Sequence, residues 1–182
     1  MAESEYSSKL NILRLDASKQ KLASNFSCGN TYIDSFLKSP QALDYGFGKT
    51  YIWLDESNSH IIGFYNISVG CIDQCDDGCR YKIGGSLHIN EFALDTRSQG
   101  KCVSERLDIR LSDLLLQDCR DRANYLRGHH VGFSFITLQS TNEGHGLYSR
   151  NGFEDIEEDM TVSSIPEEEN CRPMYLPLDL EE

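Results

Sequence analysis

Two stretches of this chain hold residues whose types and spacing could do chemistry. In "HINEFALDTRSQGKCVSERL", His88 and Glu91 sit on a strand-like run that tightens around Arg97, Gln99, Gly100 and Lys101 and then continues with helical spacing. In "NEGHGLYSRNGF", Tyr148 precedes an Asn-Gly stop at Asn151 and Gly152. A strand carboxylate or imidazole can take up a proton near neutral pH, and a phenol can give one. A strand entering a glycine-containing loop and then a helix presents backbone N–H groups and the positive end of the helix dipole, which favour an anion such as a phosphate. The loop is neither a Walker loop nor a dinucleotide fingerprint, because "RSQGKCVS" lacks the glycine spacing and the Lys-Ser/Thr pair that those need. A plain strand-to-helix turn accounts for it equally well. His88 and Glu91 are three residues apart on one strand and face opposite sides of it, so only one can point at an acceptor.

The elements that must position these groups follow from periodicity. "LNILRLD" alternates as an opening strand, and "NTYIDSFLKSPQAL" carries Tyr32/Ile33 and Phe36/Leu37 at helical spacing until Pro40 interrupts. "TYIWLD" and "HIIGFYNISVG" are β-rich runs joined by the turn-forming "ESNS", a hairpin pattern. A cysteine-bearing segment, "CIDQCDDGC", reads as a loop because Gly70, Gly78 and the Asp76-Asp77 pair interrupt it. Then come the strand "SLHINEFALD" and a long amphipathic helix with Val103, Leu107, Leu111, Leu114, Leu115, Cys119 and Ala123 on one face. "VGFSFITLQ" reads as a buried strand, "NEGHGLYSRNGF" as a short helix and "CRPMYLPL" as a late strand. The order β, α, β, β, β, α, β, α, β predicts an α/β protein with a mixed sheet covered by helices.

Composition narrows the class. A chain of 182 residues suits one domain with a single core. Its 17 Lys+Arg against 29 Asp+Glu give a net charge of -12, which repels polyanions and gives no general basic footprint. The N-terminus has no signal-like apolar run, and no stretch is long and apolar enough to span a membrane, so a cytoplasmic protein with no membrane partner is expected. Seven cysteines without a secretory signal read as reduced thiols. Cys71, Cys75 and Cys79 lack the fourth ligand and tight pairing of a metal centre, so no metal is expected.

The ordered set of motifs resembles the GNAT superfamily of N-acetyltransferases. "FALDTRSQGKCVSERL" is similar to its acetyl-coenzyme A motif, R/Q-x-x-G-x-G/A, with Arg97 and Gly100 on the first two fixed positions; Cys102 stands on the second glycine position and Ser104 on the small position beyond it. "LYSRNGF" is similar to the late motif, whose tyrosine falls on Tyr148 and whose Gly-Phe falls on Gly152 and Phe153. "FSCGNTYIDSFL" and "KTYIWLDESNSHIIGFYNIS" look like the opening of the branch that includes toxin–antitoxin acetyltransferases. The resemblance runs from about Phe26 to Leu178.

The resemblance implies a mostly antiparallel sheet flanked by helices, one GNAT-like domain over 1–182, and acetyl-coenzyme A as acyl donor to a primary amine. It places the pantetheine arm along the backbone of Phe92, Ala93 and Leu94 like an added strand. It places the pyrophosphate against Arg97 and the N–H groups of Gln99, Gly100, Lys101, Cys102, Val103 and Ser104 at the start of the helix. The motif's cofactor-contacting asparagine would fall on Thr141, with Asn142 one place late as the candidate. Tyr148 takes the position of the general acid. Glu91 is preferred over His88 as base for its closeness to the cofactor strand, and His129, His130 and His145 read as loop or surface residues. The acceptor is a small-molecule or peptide amine. Charge disfavours nucleic acid but leaves aminoacyl-tRNA open, and a homodimer is compatible with the family. The alternatives are a toxin-like aminoacyl-tRNA acetyltransferase and a degenerate partner-binding module, the latter suggested by Cys102 and Ser104.

Overall fold

The computed structural model describes residues 9–104, 106, 108–163 and 171–178. The chain divides into two compact units, Met1–Asn66 with Glu91–Tyr125 and Ile67–Asn90 with Leu126–Glu182.

In the first unit β1 (Ile12–Arg14) pairs antiparallel with β2 (Lys49–Leu54), Leu13 opposite Ile52. Helix α1 (Thr31–Lys38) starts where the Asn30 side chain accepts from the N–H groups of Tyr32 and Ile33, and it stops before Pro40, which opens a 3-10 turn. Its apolar stripe buries Leu37 in a core with Phe26, Ile52, Ile61, Phe64 and Ala93. Phe26 meets Phe64 edge-on at 5.4 Å. Strand β3 (Ile61–Asp76) begins here, and β4 (Cys79–Leu94) ends here. A Cβ at Gly63 would lie 2.9 Å from the Ala93 carbonyl oxygen and 2.6 Å from Leu94 Cδ2, so only glycine lets β3 approach the end of β4 this closely.

The long helix of this unit starts later than its pattern suggests. Residues Cys102–Ser104 form β5, antiparallel to β6 (Ile109–Arg110), and α2 spans Leu111–His129. Val103 is therefore an exposed strand residue, and Leu107 lies outside the described residues. The physical reason is local: Asp108 adopts φ 48°, incompatible with a continuous helix, and the Asp113 carboxylate caps the new start by accepting from the Arg110 N–H at 2.9 Å.

In the second unit the supposed cysteine loop is strand. β3 runs to Asp76 and β4 resumes at Cys79, with Asp77 and Gly78 at φ 48° and 76° in a two-residue turn. Asp-Gly with both φ positive is the turn whose twist suits a hairpin, which is why the acidic and glycine residues there do not break the strands. β9 (Met160–Ser163) pairs with β3 from Cys71 to Gln74. β7 (Phe135–Thr141) lies parallel to β4 from Ser86–Phe135 to Ile89–Leu138, and β10 (Cys171–Pro177) runs antiparallel along the whole of β7. The short β8 (Glu154–Asp155) adds to β10. Helix α3 (His145–Arg150) ends before Gly152, whose φ of 87° reverses the chain. Among the described residues the strand order is β1-β2-β3-β4-β7-β10-β8, with β9 on β3. The fold is thus a mixed, mostly antiparallel sheet flanked by helices, as the sequence predicts.

Candidate active site

The loop that follows β4 in the first unit is tied to the chain entering α1. Asp95, 2 % exposed, accepts from the N–H groups of Ser27 and Arg97 and, in a two-pronged contact, from Arg97 Nε at 2.6 Å and an Arg97 terminal nitrogen at 2.9 Å. Burial alone would raise the Asp95 carboxyl, but these donors outweigh it and hold it below the usual carboxylate range. Arg97 also reaches the Asn25 carbonyl, and the Gln99 amide donates to the carbonyls of Cys28 and Leu94. Asp34 of α1 accepts from the Cys28 N–H and the Ser27 hydroxyl, which completes the tether. Arg97 and Gln99 thus spend their side chains on bracing the loop. Gly100, at φ 70°, meets no atom within 4 Å of an added Cβ, whereas Lys101, Cys102 and Val103 are exposed in or beside the β5–β6 hairpin.

Some backbone donors here are also engaged. The N–H groups of Gln99 and Lys101 donate to Asp95 and Ser98 carbonyls, and that of Leu111 to the Lys101 carbonyl. At the start of α2 the Arg110 N–H donates to Asp113.

Glu91 lies nine residues upstream of Gly100 and is buried, as are Ala93 and Leu94; Phe92 is half-buried. The parallel register of β4 and β7 covers Ser86–Ile89, while β4 itself continues to Leu94 and β7 to Thr141.

The second unit holds the other candidates. Tyr148 is buried on α3, its ring centroid 5.7 Å from that of Phe153, and its carbonyl accepts from the N–H groups of Asn151 and Phe153. A Cβ on Gly144 would already sit 3.4 Å from the Tyr148 ring, which fixes the ring against the turn before α3. Asn142 is exposed in that turn, where the Thr141 hydroxyl accepts from the Gly144 N–H. His88 is buried within β4: its Nδ1 lies 2.9 Å from Thr137 Oγ1, whose hydroxyl donates to Ser86 Oγ at 3.0 Å. Since Thr137 donates to Ser86, its oxygen is left to accept from His88 Nδ1–H. Burial pushes the His88 imidazole down to about 4, so it is neutral at physiological pH. His145 meets Asp155 at 2.9 Å on the surface.

One polar cluster escaped the sequence. On α2, Asp118 and Arg122 are buried, with Tyr65 Oη donating to Asp118 at 2.6 Å and accepting from Arg122 Nε at 2.8 Å. The guanidinium carbon of Arg122 lies 3.9 Å above the Tyr51 ring. An i,i+4 Asp–Arg pair looks in sequence like a solvated helix face; only the two facing tyrosines, 53 and 71 residues earlier than Asp118 and Arg122 respectively, would have revealed otherwise.

The fold is GNAT-like. It is similar to that of AtaTR bound with AcCoA, at TM-score 0.68 and 18 % identity over 91 % of this chain and 92 % of that one. It is similar to a Tyr-to-Phe mutant of the AtaT toxin at TM-score 0.69 and 15 % identity, over 96 % and 95 % of the two chains. It also matches the KacTA–DNA complex at TM-score 0.64 and 19 % identity, over 93 % of both chains. By sequence, the chain matches no family model and no curated protein. No described helix is long and apolar enough to cross a membrane, and no described cluster of His, Cys, Asp and Glu could hold a metal ion.

Proposed function

We propose that residues 1–182 act as one GNAT-like acetyltransferase that moves an acetyl group from acetyl-coenzyme A to a primary amine. The observation that carries this is the fold likeness to a toxin complex bound with AcCoA across nine-tenths of both chains. The strand pattern agrees with it, since β4 runs on past its register with β7 through Phe92, Ala93 and Leu94, the backbone on which an extended pantetheine arm would pair. At the diphosphate end the N–H groups of Gln99, Lys101, Arg110 and Leu111 already have acceptors within the chain. Coenzyme A would supply the activated acyl group as a thioester.

The chain's own residues would move two protons. Glu91 takes one from the attacking amine as the nitrogen–carbon bond forms, and Tyr148 Oη gives one to the sulfur as the carbon–sulfur bond breaks. Glu91 is preferred to His88 because it adjoins Phe92, Ala93 and Leu94, the proposed cofactor strand, whereas His88 is buried against Thr137. Asn142 is the candidate side-chain contact to the cofactor.

One observation favours a nucleic-acid-borne acceptor such as aminoacyl-tRNA. Tyr45 is 64 % exposed, with the Arg14 guanidinium 5.5 Å and the Lys49 ammonium 5.9 Å from its ring centroid. An exposed aromatic between two cations can stack a base and hold a phosphate, despite the overall charge of -12. A protein partner is the third element, since the AtaT neighbours include one bound to the C-terminus of the antitoxin AtaR.

The test is a turnover screen with acetyl-coenzyme A against polyamines, amino acids, peptides and charged tRNA, run beside a thermal-shift titration. A native-state ligand at a hundred times its dissociation constant stabilises by about 2.7 kcal/mol. A shift with product on one acceptor class is the expected result; no shift at millimolar acetyl-coenzyme A defeats the enzyme reading and leaves the partner-binding module.

A further inference from the structure

The chain entering α1 and the chain leaving β4 meet at one buried side chain, Asp95, which is 68 residues from its partner Ser27 in sequence. We propose that Asp95 is a positioning residue for the acetyl donor: by fastening these two segments together it holds the backbone of Phe92, Ala93 and Leu94 where the pantetheine arm pairs. This rests on the acetyl-coenzyme A reading above.

Backbone and side chain of Asp95 act on the same stretch. Its N–H donates to the Ile62 carbonyl of β3 at 2.9 Å, and its carbonyl accepts from the N–H groups of Ser98 and Gln99, so the strand ends at this residue. Its carboxylate accepts from the Ser27 N–H at 3.2 Å on one side and from the Arg97 N–H and guanidinium on the other. Around it the Thr96 N–H donates to the Ser27 carbonyl at 2.8 Å, Arg97 reaches the Asn25 carbonyl, and the Gln99 amide bridges the carbonyls of Cys28 and Leu94. A buried carboxylate is costly without its donors, so parting the two segments would strand the charge. β3 holds the same residues, its Gly63 so close that an added Cβ would lie 2.9 Å from the Ala93 carbonyl oxygen. An arm that pairs like an added strand binds through backbone groups at fixed spacing, and its affinity rises with how firmly that backbone is held beforehand. Charge alone predicts the reverse: removing an anion near a polyanionic cofactor would tighten its binding. Loss of positioning loosens it, and loosens the phosphate-free arm as much as the whole cofactor.

The experiment is calorimetry on the full chain with two probes: acetyl-coenzyme A, and S-acetylpantetheine, which carries the thioester and arm without phosphate. Asp95→Ala is expected to weaken both about tenfold, or about 1.4 kcal/mol. Asp95→Asn keeps an oxygen for the Ser27 N–H, so it should recover part of the loss and bind both about threefold more weakly than wild type; it also covers the case in which the alanine variant fails to fold. Asp118→Ala, at the Tyr65–Arg122 cluster of the same unit, is the control for general destabilisation and is expected to bind both probes like wild type. If the folded Asp95 variants bind S-acetylpantetheine within about twofold of wild type, if acetyl-coenzyme A binds them more tightly, or if Asp118→Ala loses as much, Asp95 does not position the arm, and the inference is overturned while the acetyltransferase reading stands. If neither thioester binds the wild-type protein, the acetyl donor itself is wrong and the inference falls with it.

Discussion

Tyr65 in the first unit and Tyr148 in the second are both buried tyrosines, and what holds each of them differs. Tyr65 donates to Asp118 and accepts from Arg122, and burial pushes its phenol well above its ordinary range. Such a hydroxyl is locked in both hydrogen-bonding roles and keeps its proton. Tyr148 is held through its ring, against Phe153 and the Gly144 turn, and through its backbone carbonyl at the end of a single short helix. A side chain fixed by its ring can hold its Oη in one place for a proton transfer. Residue type and burial are alike in the two cases, and at Tyr65 the charged neighbours on α2 mark a structural phenol.

Removing the Tyr148 oxygen should give the largest effect. Tyr148→Phe is expected to lower kcat by ~10²–10⁴ with little change in KM or melting temperature, because a general acid acts in the transition state while the ring packing remains. Steady-state kinetics on the true acceptor check it; turnover within a few-fold of wild type would put Tyr148 in the same structural class as Tyr65.

The opposite outcome is expected in the first unit. Asp118→Ala leaves the Arg122 charge buried without its carboxylate and Tyr65 without its acceptor, which should cost ~3–5 kcal/mol of stability. Denaturant titration measures this, with specific activity per folded molecule unchanged. A loss under 1 kcal/mol would mean that the cluster is as solvated as its helical spacing suggests.

A third test uses pH. The His88 imidazole is lowered to about 4 in the folded state, below its unfolded value near 6.5, so the neutral form is favoured by folding. Its contribution is intact above pH 6.5 and is lost as pH falls toward 4, by ~2–3 kcal/mol between pH 7 and 4.5. His88→Gln can keep a donor to Thr137 but cannot titrate, so unfolding curves of wild type should fall more steeply with acid than those of the variant. Parallel curves would show that His88 is not desolvated.

The smallest effect is expected at Gly63. A Cβ there meets the Ala93 carbonyl at 2.9 Å, so Gly63→Ala should destabilise by ~1–3 kcal/mol through overpacking. Because it displaces the end of β4 that is proposed to carry the pantetheine arm, KM for acetyl-coenzyme A should rise as well, whereas Asp118→Ala leaves it alone.

Much of the architecture was legible because it is written in local periodicity. Asn30 and Pro40 bound α1, the Asn151-Gly152 stop ends α3, and the β-rich runs of "TYIWLD" and "CRPMYLPL" become β2 and β10. The motif residues Arg97, Gln99, Gly100 and Tyr148 were equally visible, since their spacing along the chain carries the resemblance. The cysteine segment was misread because composition counts Asp and Gly as breakers, while a two-residue turn with both φ positive uses them to continue a hairpin.

The sequence by itself determined the order and type of the elements, the glycine turns and the set of groups that can move protons, because each depends on neighbours a few residues away. The tertiary structure decided what those groups touch. It alone tied Arg97 and Gln99 to the chain entering α1, turned the Asp118–Arg122 pair inward onto Tyr65 and kept the His88 imidazole neutral. Those outcomes depend on contacts between segments some fifty or more residues apart, or on burial, and neither has a signature in local spacing.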